Sequence, residues 1–102
     1  MSVNLETRII TTTPYSIVNN DDVIFVNITS GPASIILPST GIDGSKKRSF
    51  YIKDYSGTSL KNPITITSAG GKTINGVSFA MLNGAYSHIH VVYDGTNWMT
   101  IA

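Results

Sequence analysis

The chain's two histidines, His88 and His90, stand one residue apart and are its first candidates for metal chemistry. Alternate side chains of a strand share a face, so His88-Ile89-His90 is expected to turn both rings one way and Ile89 the other. Neutral imidazole is a common ligand for divalent transition metals. One chain offers only this pair, with no cysteine and no clear carboxylate close in sequence. The plainer reading, a polar pair on a solvent-facing side, is therefore favoured.

Tyr15, Tyr51, Tyr55, Tyr86, Tyr93 and Trp98 are a second resource. Aromatic faces suit sugar rings, whose C–H faces are apolar while their edges require hydrogen bonds. Tyr93 and Trp98 flank Asp94-Gly95 and are expected to pack across strands instead. Tyr55 and Tyr86 fall nearer to loops and are the better candidates for ligand contact.

Catalysis finds little support. Asp21, Asp22, Asp43, Asp54 and Asp94 all sit in turn-like sequence, where Asp is favoured for backbone reasons. A glycosidase needs two carboxylates across a cleft, and no cleft-forming insertion is visible. No nucleophile-elbow pattern occurs. Gly70-Gly71-Lys72-Thr73 lacks the spacing and the following helix of a phosphate loop. Asn27-Ile28-Thr29 has the form of a glycosylation acceptor but falls in an expected buried strand. The expectation is a protein that is not an enzyme and has no resident cofactor.

The elements that would carry these residues are strands. With 102 residues, 41% of them hydrophobic and 13% charged, the chain suits one domain over 1–102 with a real core. A net charge of +1 gives no electrostatic reason to expect nucleic acid. Lys46-Lys47-Arg48 reads as a solvated turn that protects an edge. Absence of cysteine removes disulfides, thiolate metal sites and thiol nucleophiles. Met1 to Ile10 lacks the pattern of a secretory signal, and no run is long enough for a membrane span, so no membrane insertion is expected.

Strand-like runs cover 7–13, 15–18, 23–28, 33–37, 50–53, 63–67, the very short 72–74, 77–81, 87–93 and 96–101. Asn19-Asn20-Asp21-Asp22, Thr29-Ser30-Gly31-Pro32, the loop 39–45, Asn75-Gly76 and Asn83-Gly84 separate them. Val23 to Ile28 is nearly continuously apolar, which predicts a strand buried on both faces. Asp94-Gly95 predicts a type I′ hairpin. No repeat of fixed length suggests a solenoid. The expected fold is all-β, an antiparallel β-sandwich of jelly-roll or barrel-like form with about eight strands. Ile24, Val26, Ile35, Leu37, Ile52, Ile64, Ile66, Ile89, Val91 and Ile101 are its expected core.

Several blocks occur in a telling order. Asp22-Val23-Ile24-Phe25-Val26-Asn27 precedes a strand ending Leu37-Pro38. Then come Tyr51-Ile52-Lys53-Asp54, Asn62-Pro63-Ile64-Thr65-Ile66, Gly71-Lys72-Thr73-Ile74-Asn75-Gly76 and Val92-Tyr93-Asp94-Gly95-Thr96-Asn97-Trp98. Together they resemble the small β domains of phage tail fibres and related viral attachment proteins. The resemblance implies a virion component, usually homotrimeric, that acts as a fibre segment or a receptor-binding tip beside other virion or fibre proteins. It implies a host-surface receptor, such as a polysaccharide, without naming one. A purely structural spacer, trimerisation module or capsid-associated spike is the alternative. Where such domains place small hydroxyl residues before the last hairpin, this chain has His88 and His90. In a trimer, three such pairs could converge on the axis around one transition-metal ion. Low charge and a small core both favour association.

Overall fold

The computed structural model describes residues 5–18, 21–38 and 49–101. The expectations placed on Asn19-Asn20, on the loop 39–45 with Asp43, and on Lys46-Lys47-Arg48 lie outside the described residues. Among the described residues the elements are β1 (Thr7–Ile10), β2 (Tyr15–Ser16), β3 (Val23–Val26), β4 (Ala33–Leu37), β5 (Ser49–Asp54), β6 (Ile64–Ser68), β7 (Phe79–Leu82), β8 (His88–Tyr93) and β9 (Trp98–Thr100). A single 3₁₀ turn, Ala69–Gly71, follows β6.

The strands make two sheets, β1-β3-β5-β8-β9 and β2-β4-β6-β7. The all-β expectation holds, and the antiparallel one is corrected. Through β6 the chain alternates between the sheets, so each strand lies beside the strand two before it and parallel to it. Thr7 lies opposite Val23 and Val23 opposite Tyr51. The path is a short two-sided coil whose turns differ in length, and this is why no fixed repeat is visible. Turn residues such as Ser30-Gly31-Pro32 serve an arch from sheet to sheet as well as they serve a hairpin, so composition alone did not separate the two. Only the last third reverses: β7 runs antiparallel to β6, β8 to β5, and β9 to β8.

One core fills the space between the sheets. Strand alternation supplies it in rows: Ile24, Ile52 and Ile89 from the larger sheet, and Tyr15, Ile35, Ile66 and Ala80 from the smaller. Fully burying one such aliphatic side chain is worth about 1.5–3 kcal/mol. Trp98 and Phe50 are the largest buried side chains, and their rings meet at 5.9 Å. Nine of the expected core positions are buried, and Ile101 is corrected: it is 67% exposed. β9 ends at Thr100, and alternation from buried Trp98 turns Ile101 outward.

Of two tight turns, one differs from expectation and the other matches it. At Asp94-Gly95 only Gly95 has positive φ, whereas a type I′ turn needs it at both central residues. The Asp94 carboxylate closes this loop by accepting from Thr96 N–H at 2.8 Å and Asn97 N–H at 2.9 Å. Asn75 (φ 53°) and Gly76 (φ 83°) do have the type I′ pattern. Ile74 and Val77 exchange both backbone hydrogen bonds around them.

Two buried carboxylates pin the loops. Asp21 accepts from Arg8 Nε at 2.8 Å, Tyr15 OH at 2.5 Å and Val18 N–H at 3.1 Å. Burial alone would raise its pKa; the Tyr15, Arg8 and Val18 hydrogen bonds overcome that and hold it below the usual range. Burial, with the Asp21 contact second, pushes the Tyr15 hydroxyl up to about 12. Asp54, at the end of β5, is the other.

A candidate binding face on the five-stranded sheet

Residues that alternate with the core positions form the outer face of the larger sheet. In register, Thr7, Val23, Tyr51 and His90 make one row, and Ile9, Phe25, Lys53 and His88 the next. Val92 and Met99 pair beyond them. Leu5, Val23, Phe25, Tyr51, Lys53 and His88 line a groove of about 290 Å³ on this face.

His88 and His90 both point outward here, with Ile89 between them in the core. Their surroundings differ. The His90 ring stacks on Tyr51 with centroids 3.9 Å apart. Its Nε2 is buried without a hydrogen-bond partner among the described residues. Burial pushes its pKa below the ordinary imidazole value. His88 is exposed at the groove wall. Among the described residues no group of three His, Asp or Glu side chains converges as a metal site.

Tyr55 and Tyr86 stand at one end of the same face. Tyr55 packs its ring at 5.5 Å from Phe25 and stays 46% exposed. Tyr86 is 57% exposed and adopts left-handed backbone, φ 59°. The Lys53 ammonium donates to the Tyr86 carbonyl and lies 5.8 Å from the Tyr86 ring centroid. Lys53 thus joins Tyr86 to the row that holds His88, while no ring contact among the described residues joins Tyr55 to Tyr86.

Asp54 fixes this end. Its carboxylate accepts from Gly57 N–H at 3.1 Å, Ser59 N–H at 3.0 Å and Tyr86 N–H at 3.0 Å, and from Ser56 Oγ at 3.3 Å. Burial works to raise its pKa, and the Ser59, Tyr86 and Gly57 hydrogen bonds outweigh it, leaving the group below its ordinary value. Gly57 has φ 78°, and a Cβ there would come within 2.5 Å of the Tyr86 ring. Both the turn and the ring's seat therefore require glycine.

Tyr93 and Trp98 pack across the last hairpin as expected, with rings 5.2 Å apart and both buried. Tyr51 belonged to the wider aromatic set, whereas Phe25, Val23 and Lys53 were not among the sequence candidates. One signal for them existed: the run from Val23 to Ile28 is nearly continuously apolar, yet Val23 and Phe25 are only half-buried.

No model of a known protein family matches this chain. Comparison with curated proteins likewise finds no match.

Proposed function

We propose that this chain is a non-enzymatic attachment domain of a viral, phage-type fibre or tail spike. It acts as a homotrimer in the virion and binds a host-surface ligand, a glycan foremost. The observation that carries this reading is the fixed, exposed aromatic end formed by Tyr55 and Tyr86. Both rings are open to solvent: Phe25 packs on the Tyr55 ring, and Asp54 and Lys53 hold the backbone N–H and carbonyl of Tyr86. Rigid aromatic surface costs little ordering entropy on binding, and a sugar's apolar face can rest on it. Backbone carbonyls and hydroxyls beside the rings can serve the sugar's edges.

The test is saturable binding of the purified protein to a panel of bacterial envelope polysaccharides. Tyr55→Ala and Tyr86→Ala should each weaken it by roughly tenfold or more. Absence of saturable binding to every envelope tried, together with failure to block adsorption of virus, would contradict the reading.

The apolar outer sheet face favours a second reading, a structural fibre spacer or trimerisation module that contacts only virion proteins. That reading predicts assembly into the fibre with no host ligand.

A further inference from the structure

We infer that the ligand is an acidic glycan, whose anionic group seats on Lys53 while its sugar ring rests against Tyr86. This rests on the attachment reading above and adds the chemical class of the ligand.

Charge carries the argument. The Lys and Arg side chains on the described strands are Arg8 on β1 and Lys53 on β5. Arg8 is neutralised by the buried Asp21 carboxylate at 2.8 Å. Lys53 differs: among the described residues no carboxylate forms an ion pair with it. Its ammonium donates to the Tyr86 carbonyl and lies 5.8 Å from the Tyr86 ring centroid. An ammonium has more N–H donors than one carbonyl uses, and the rest remain for an incoming group.

No acid competes for that place. Leu5, Val23, Phe25, Tyr51 and His88 line the groove beside Lys53, and none is a carboxylate. Asp54 follows Lys53 in the chain, but alternation along β5 turns it to the buried side. There its oxygens accept from the N–H groups of Gly57, Ser59 and Tyr86. It therefore fixes Tyr86 without adding an exposed negative charge. His88 is the direct register partner of Lys53 and brings an exposed imidazole to the same row. A held cation with no acid beside it is complementary to an anion.

The aromatic neighbour narrows the class. A bare inorganic anion gains nothing from the Tyr86 ring. A sugar acid can rest its apolar C–H face there and turn its charged group to the adjacent ammonium. Lysine is a compact point charge rather than a planar fork, so it serves a carboxylate or a phosphodiester equally. Those two sources share one chemistry, and the experiment tells them apart.

The purified protein is titrated with polygalacturonate, with the same polymer after reduction of its carboxylates to alcohols, with a glycerol-phosphate teichoic acid, and with dextran. At least one acidic polymer should bind about tenfold or more tightly than both neutral ones, and which of them does so identifies the anion. Lys53→Met should weaken that binding by about tenfold or more. Lys72→Met removes the same charge from a residue in neither row and should leave it unchanged. Raising salt from about 0.1 to about 1 M should weaken the parent more than Lys53→Met. If Lys53→Met fails to fold, the comparison of acidic with neutral polymers still decides. Acidic polymers no better than neutral ones, a folded Lys53→Met with parental affinity, or an equally tight single-stranded oligonucleotide would overturn the inference. Saturable binding of neutral glycans through Tyr55 and Tyr86 would overturn it and leave the attachment reading standing. Binding of no polysaccharide at all would contradict both.

Discussion

The rings of Tyr51 and His90 lie face to face across neighbouring strands β5 and β8, with planes 12° from parallel. They are direct register partners. The stack covers one face of the imidazole, and its buried Nε2 has no hydrogen-bond partner among the described residues. A charged imidazolium is poorly served there, and the neutral ring is favoured.

The stack predicts a pH dependence. Burial lowers the folded pKa of His90, so the unfolded chain takes up this proton first as pH falls through about 6.5. Stability is therefore intact above that value and declines below it. Among the described residues, register sets Tyr51 and Lys53 on β5 and His88 on β8 beside the ring, none of them a carboxylate that would stabilise the cation. His90→Phe keeps an aromatic ring on Tyr51 and removes the titration. Melting temperatures compared between neutral pH and pH about 5 should fall less for this variant than for the parent. An equal fall would refute the assignment.

Asp54 should matter more than a surface carboxylate. It is 1% exposed, and replacing it with Ala would leave the buried Ser59 N–H unpaired, at about 1–3 kcal/mol, and the part-buried Tyr86 N–H without its acceptor. Asp54→Ala should lose about that much or more in urea unfolding, together with ligand binding at Tyr86. Its lowered pKa also fixes the sign with pH: the stabilisation is present above the ordinary carboxylate range and lost as pH falls through the folded value. A variant within about 0.5 kcal/mol of the parent would show that the loop holds without it.

Two glycines of similar φ should respond differently. At Gly76 a Cβ meets nothing within 4 Å, so Gly76→Ala carries only backbone strain, about 1–2 kcal/mol. At Gly57 the Cβ collides with the Tyr86 ring. Gly57→Ala should therefore displace that ring and weaken ligand binding, which Gly76→Ala should not. Matching binding curves for the two variants would contradict the role given to Tyr86.

Core placement has a direct check. Ile66 and Val91 are fully buried, and an unpaired charge there costs several kcal/mol. Ile66→Asp and Val91→Asp should abolish soluble expression, whereas Ile101→Asp should be tolerated. Normal folding of the first two would place the strands wrongly.

Much of this was legible in the sequence, and the limits have physical causes. Alternation at Ile64 and Ile66, or at Ile89 and Val91, specified the inward face without any knowledge of neighbours. Ile101 was misplaced because the strand's last paired residue depends on register with β8, which a run of residues does not reveal. Strand direction was missed because Gly31 and Pro32 favour a bend without specifying whether the chain returns to the same sheet. The near-continuous run Val23–Ile28 was the available clue to a parallel centre. At the candidate site, Tyr55, Tyr86, His88 and His90 came from residue type and spacing. Their neighbours Lys53 and Phe25, and the place of Tyr51 beside them, emerged only when register laid β5 between β3, parallel to it, and β8, antiparallel to it.

The proposed trimeric fibre domain is tested most directly by its mass in solution. Sedimentation equilibrium at micromolar concentration should return three times the 10.9 kDa chain mass. A monomer under those conditions would contradict the account.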